Sequence, residues 1–304
     1  LALTSLPSGV TYIGSGAFQG CSSLALSSLP SGLTSISNAA FLDCTALALT
    51  SLPSGLTYLG SQAFYRCTNL ALTSLPPGIT SIYYGVFQQC TSLVSLSMDN
   101  VTSISSYAFY RATALALTSL PSGVTSIGDD SFYGCTALAL HTALPSGVTS
   151  IGSNAFHSCT SNSWLLVPPG CTIGTNAFGN TAGYAFTAPS PPPYPPGQAP
   201  PPAPPALPPP PSPVPSVPPP SPSPPPHQYC LYTPDANGHV NVPAHVTSIS
   251  GSYQGSDAFW GCTSLVSISM DSVTYIGNYA FYGCTALALT SLPSGVTYIG
   301  SGAF

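Results

Sequence analysis

Phenylalanine returns at Phe18, Phe41, Phe64, Phe87, Phe109, Phe132, Phe156 and Phe178, then at Phe259, Phe281 and Phe304, in steps of 22 to 24 residues. A fixed period of this size, with the same apolar residues at the same offsets, means that each unit buries its hydrophobic face only against its neighbours. Such a chain stacks into a solenoid. The expected molecule is an extended surface, not an enclosed pocket.

The unit beginning at Leu47 reads L-A-L-T-S-L-P-S-G-L-T-Y-L-G-S-Q-A-F-Y-R-C-T-N, and Leu70 opens the next. Leu47, Leu49 and Leu52 form an L-x-L-x-x-L pattern that predicts a short strand with alternate side chains pointing inward. Pro53 and Gly55 then end that strand at a corner, because Pro lacks a donor for the ladder and Gly accepts turn dihedrals. Leu56 and Leu59 begin the return path. Ala63, Phe64 and Cys67 follow with the i, i+3 spacing of one short helical or 3₁₀ turn. Stacked coils should therefore build a parallel sheet of short strands around columns of Leu, Val or Ile, Phe and Cys.

This unit resembles the leucine-rich repeats of the BspA-like surface-protein family, whose repeat has the form L-P-x-x-[VL]-x-x-I-x-x-x-A-F-x-x-C-x-x-L. The similarity covers residues 1 to about 178 and about 240 to 304. It implies a leucine-rich-repeat solenoid used in adhesion or recognition at a cell surface, with no cofactor and no named ligand.

Departures from the pattern suggest how the chain is divided. Residues 1–187 are expected to form one array, with a C-terminal cap over roughly 161–187 where Trp164 and the shortened Pro168-Pro169-Gly170-Cys171 stand. His141 lies in a unit one residue longer, where a bulge is expected. Residues 188–227 are mostly Pro with Ser, Ala and Val, a composition that adopts polyproline II and acts as a stiff spacer. Residues 228–304 form a second array, its start capped by a stretch in which Asn237-Gly238 signals a hairpin. The segment Leu1–Phe18 recurs identically at Leu287–Phe304, and no initiating Met or signal peptide is present, so the chain reads as a fragment. The Ser-Pro runs resemble the hydroxyproline-rich stretches of extensins and pherophorins, which implies a location outside the cell.

Composition narrows the function further. Lys and Glu are absent, Arg66 and Arg111 are the only cations, and the formal net charge is −5, so the basic footprint that nucleic-acid binding requires is missing. No apolar run reaches the roughly 18 residues of a membrane span. Cys21, Cys44, Cys67, Cys90, Cys135, Cys159, Cys262 and Cys284 fall in one column with parallel side chains, which suits buried free thiols rather than disulfides or zinc. Cys171 and Cys230 lie off that column and are the better disulfide candidates. His141, His157, His227, His239 and His245 are scattered, and Asp129-Asp130 are adjacent loop residues. Neither set assembles a metal site or a paired-carboxylate acid and base, and no catalytic motif is present.

Variation between repeats points to a candidate interaction edge. The strand columns repeat Ala with Thr or Ser, whereas positions flanking Ala-Phe carry Tyr65, Arg66, Tyr83, Tyr84, Gln88, Tyr107, Tyr110, Arg111, Tyr133, Trp260 and Tyr282. Tyr, Trp and Arg are the residue types that anchor interfaces. Asn100-Val101-Thr102 is an N-glycosylation sequon for Asn100. Three readings follow: a non-catalytic surface protein that recognises a protein or glycan, a structural wall or matrix glycoprotein spacer, and, more remotely, ice binding through the in-register Thr11, Thr34, Thr57, Thr80, Thr102, Thr125 and Thr149.

Overall fold

The computed structural model describes residues 1, 3–140, 143–161, 165–180, 232–250 and 259–304 of the 304-residue chain. These form a solenoid of stacked coils with no helix among them. The proline-rich segment, His141, Trp164, His227 and Cys230 lie outside the described residues.

The first eight strands are β1 (Tyr12–Ile13), β2 (Ser35–Ile36), β3 (Tyr58–Leu59), β4 (Ser81–Ile82), β5 (Ser103–Ile104), β6 (Ser126–Ile127), β7 (Ser150–Ile151) and β8 (Thr172–Ile173). The later segment adds β9 (His239–Asn241), β10 (Ser248–Ile249), β11 (Ser267–Ser269), β12 (Tyr275–Ile276) and β13 (Tyr298–Ile299). All pairing is parallel, in the orders β10-β12-β13-β1-β2-β3, β4-β5-β6-β7-β8 and β11-β9. Because β13 pairs with β1 in register, the two repeat segments lie in one stack, with the second segment preceding the first along the axis.

The strand position differs from the sequence expectation. Leu47-x-Leu49-x-x-Leu52 buries its first two leucines but forms no strand, and the ladder instead runs through the Thr-[Ser/Tyr]-[Ile/Leu] return path. There most of the column threonines donate twice to the counterpart one coil back, as when Thr34 N and Oγ1 reach Thr11 O at 3.0 and 3.2 Å. The leucine segment has a single bond per junction in places, such as Ala116 N to Val94 O at 2.8 Å, too few to extend a ladder. Only β9, β11 and an isolated Ser74–Ser97 bridge give that side regular pairing among the described residues.

The Ala-Phe-x-x-Cys segment is also not a helical turn. It is a run of β-turns in which the residues two before and two after Phe have positive φ: Gln62 and Arg66 at 57° around Phe64, and Tyr107 at 60° and Arg111 at 55° around Phe109. A left-handed residue of this kind costs about 1–2 kcal/mol outside glycine. Here the conformation turns the backbone N–H toward the next coil, where Gln62, Phe64 and Arg66 donate to Tyr84, Val86 and Gln88 carbonyls at 2.8, 3.1 and 2.8 Å. The Asp235-Ala-Asn-Gly238 segment forms a turn, with Gly238 N on Asp235 O at 2.9 Å, but it leads into a strand paired in parallel and is not a hairpin.

Phenylalanine fills the axis. From Phe259 through Phe281, Phe304 and Phe18 to Phe178, successive rings lie 5.1–6.0 Å apart with planes within 15° of parallel. Offset parallel rings at this separation add to the hydrophobic gain from full burial. Residues 165–178, expected to begin a cap, form one more coil, with Phe178 stacked on Phe156 at 5.5 Å.

Coil spacing leaves little room after the strand isoleucine. A Cβ on Gly128 would lie 2.4 Å from Ser106 N, and one on Gly152 would lie 2.3 Å from Asp129 N. Tyr83 occupies the equivalent place in its coil. There β3 and β4 fall into separate sheets and the Phe64–Phe87 spacing widens to 6.0 Å. Ser131 is the other irregularity, since it stands in the buried alanine column and its Oγ finds no hydrogen-bond partner.

Two stability measurements follow. Ser131→Ala removes a buried, unsatisfied hydroxyl and should raise the unfolding free energy by about 1 kcal/mol in urea titration; a loss of that size would contradict the assignment. Gly128→Val forces the neighbouring backbone aside and should lower it by at least about 2 kcal/mol, whereas a neutral result would show that the coils are not so closely spaced.

Candidate functional site

The turn segment positions the variable side chains. Because the core residues of this segment are Ala and Phe, the next residue and the left-handed residues on either side point outward. At Gly20, one such left-handed position, an added Cβ would meet nothing within 4 Å. This geometry lets Arg66, Gln89, Arg111 and Tyr107 vary in chemistry without entering the core.

Five of the predicted edge residues come together. Tyr84 lies 5.4 Å from Tyr107, Tyr107 lies 5.4 Å from Tyr110, and Tyr110 stacks on Tyr133 at 5.0 Å and 15°. His157 continues the row at 4.8 Å and 4° from Tyr133. The Arg111 guanidinium lies 5.3 Å from the Tyr110 ring centre, within cation–π range. Asp130 borders the strip: its negative charge, followed by burial and a hydrogen bond to the same carboxylate, raises the Tyr107 phenol above its ordinary value.

The remaining candidates fall elsewhere. Tyr65 and Gln88 occupy the same column as Tyr110, one residue after Phe64 and Phe87, and both are half-buried. Arg66 pairs with Asp43 at 3.2 Å, an exposed bridge of little energetic weight. Tyr83 tilts against Tyr58 on the strand side at 5.8 Å, separate from the strip. Trp260 and Tyr282 form a second cluster with Tyr279, at 5.1 Å from Trp260 to each tyrosine. Asn100 is exposed in a turn. Sequence reasoning missed a third group, Tyr275, Tyr298 and Tyr12, stacked at 4.6 and 5.0 Å on the strand face. Tyr replacing Ser before the strand isoleucine was the signal that could have found it.

The column thiols Cys44, Cys67, Cys90, Cys135, Cys159 and Cys284 each donate to a Phe carbonyl of the preceding coil, as Cys44 does to Phe18 at 3.0 Å and Cys159 to Phe132 at 3.1 Å. Burial pushes Cys21 and Cys284 up to about 11 and Cys159 up to about 12. Two cysteines depart from expectation. Cys262 is disulfide-bonded although it lies in the column, and Cys171, expected to be bridged, is a free thiol. A disulfide demands converging Cβ atoms, which column spacing alone cannot reveal. The threonine column spends its hydroxyl protons on carbonyls, as Thr125 does on Thr102 O at 3.1 Å.

Among the described residues, no group of three or more His, Cys, Asp or Glu could hold a metal, and no helix is long and apolar enough to cross a membrane. Two open depressions lie away from the strip. One, of about 270 Å³, is lined by Gln19, Cys21, Phe281, Cys284 and Phe304, and the other, of about 390 Å³, by Thr73, Ser97, Asp99, Leu117 and Pro121.

The buried thiols set a pH dependence. Each holds its proton in the fold above the ordinary value of 9.0, where the unfolded chain releases it. Stability should therefore be intact below about pH 9 and fall as pH rises through about 11 and 12. Urea midpoints measured across that range check this, and a midpoint independent of pH would contradict it. Near neutral pH a thiol reagent should label Cys171 well before the column.

The profile described as BspA type Leucine rich repeat region matches in six copies over residues 1–116, 92–191 and 228–304. Among solved structures, a leucine-rich repeat protein of T. pallidum is 30% identical, with 50% of this chain and 73% of that chain covered and a TM-score of 0.44. A leucine rich cell surface protein from Faecalibacterium prausnitzii A2-165 is 26% identical over 98% of this chain and 79% of that one, with a TM-score of 0.44. A leucine-rich repeat protein from Bacteroides ovatus ATCC 8483 is 21% identical over 99% and 75%, with a TM-score of 0.48. No curated protein sequence matches the chain. With its profile matched over most of its length, the chain belongs to the BspA-type leucine-rich-repeat family.

Proposed function

We propose that this repeat stack is a non-catalytic recognition or adhesion surface working outside the cell or at its surface, and that the strip Tyr84, Tyr107, Tyr110, Arg111, Tyr133 and His157 holds its ligand. The observation that carries this reading is the concentration of interface-type residues in one contiguous row on a chain that is only 3% charged. Tyr and Arg anchor interfaces because they combine large contact area with a polar end.

The same geometry favours a protein over a glycan. Tyr110, Tyr133 and His157 are near-parallel, so they cover one another's faces and offer edges and hydroxyls. A sugar ring packs flat on a free aromatic face, which only the tilted Tyr84 and Tyr107 retain. Asn100, exposed beside Thr102, is the proposed glycosylation site.

The test is binding of the immobilised full chain to panels of extracellular proteins and of glycans. The combined variant Tyr110→Ser, Arg111→Ser, Tyr133→Ser should weaken any captured ligand by at least about 30-fold, the loss expected when an anchor of about 2 kcal/mol is removed. Undiminished capture would refute the strip. Failure of both panels, together with periodate-sensitive sugar on the proline-rich segment, would instead favour the matrix-spacer reading.

A further inference from the structure

Phenols are the oxidisable groups that this surface holds in ordered contact. Tyr275 and Tyr298 stack at 4.6 Å with 2° between their planes, and Tyr12 follows Tyr298 at 5.0 Å and 10°. Tyr110 and Tyr133 form a further parallel pair at 5.0 Å and 15°. Tyr275 is 40% exposed and its partners are half-buried, so the pairs are open to reagents. Apart from the disulfide at Cys262, other routes to a covalent link between coils are restricted. The chain has no Lys, so it cannot form lysine-derived amide or aldehyde cross-links. Column thiols such as Cys44, Cys67 and Cys135 are buried and directed at main-chain carbonyls.

We propose that the stacked tyrosines are sites of oxidative phenol coupling, which joins neighbouring coils covalently when a peroxide-driven haem peroxidase acts on the protein. Each phenol gives up one electron and one proton to become a phenoxyl radical. The two radicals join through a carbon ortho to each oxygen, and the hydrogen on each joined carbon moves to its oxygen, which restores both phenols. Two tyrosines and one hydrogen peroxide thus yield one dityrosine and two waters. Coil register supplies the selectivity: a ring held about 5 Å from its neighbour meets it at an effective concentration far above that of a second chain in dilute solution. The Tyr275–Tyr298 link would join adjacent coils of the second segment. A Tyr298–Tyr12 link would fasten that segment to the first across the β13–β1 junction. This inference does not depend on what the aromatic strip binds.

The full chain, dilute and folded, is treated with a haem peroxidase and hydrogen peroxide, then digested and its coupled peptides identified by mass spectrometry. Coupled Tyr275–Tyr298 and Tyr110–Tyr133 peptides should form about tenfold more in the folded chain than in the same chain unfolded in urea. Tyr65, which has no ring partner among the described residues, serves as the internal control and should couple rarely. Tyr298→Phe should abolish the first product and leave the second, while Tyr133→Phe should do the reverse, with thermal melts confirming that both variants fold. Equal yields in folded and unfolded chain, or Tyr65 coupling as often as the stacked pairs, would overturn the proposal.

Discussion

Register between coils is the constraint from which the rest of this molecule derives. No coil has enough apolar surface to close a core by itself, so every Phe must lie over the Phe before it, at 5.1–6.0 Å from end to end of the row. A single main-chain path satisfies that spacing, with Thr carbonyls on one side and turn carbonyls on the other receiving N–H groups from the adjacent coil. The break between the strand ladders falls where Tyr83 follows Ile82, whereas the smaller Ser37 and Ser105 at the same place leave their strands paired on both sides. It does not break the Phe row, because stacking tolerates a wider gap than a hydrogen bond does.

The turn segment separates the demands of folding from the chemistry of the surface. Left-handed residues two places from each Phe would be a liability in isolation, yet most direct an N–H to a carbonyl of the following coil and a side chain outward. Arg66, Tyr107 and Arg111 can therefore occupy a strained conformation at little net penalty, and the surface can change from coil to coil over a constant core. The thiol column follows the same division: a small apolar group fills the space beside Phe and returns a weak hydrogen bond to the previous coil.

With so few charges, the surface owes its chemistry to hydroxyls and rings. Stacking arranges those rings along the axis, so Tyr110, Tyr133 and His157 are neighbours because their coils are neighbours, although 23 or 24 residues separate them in sequence. The same geometry that favours edges over faces for binding brings phenols within coupling distance.

The repeat period, the identity of the buried columns, the solenoid class and the family were legible in the sequence, because periodic burial imposes periodic residues. The variable edge was legible as a set of positions, and its split into the Tyr84–His157 strip, the Trp260 cluster and the solitary Arg66–Asp43 pair was not. Tertiary structure decided where the strands lie. Leu-x-Leu alternation looks like a strand in one dimension, but a ladder forms only where the adjacent coil offers matching donors and acceptors, and that match occurs at Thr-x-Ile. It also decided that Cys262 is bridged while Cys171 is free, and that Tyr12 meets Tyr298. Those outcomes depend on distances between residues far apart along the chain, which repetition implies only when every coil sits where the period places it.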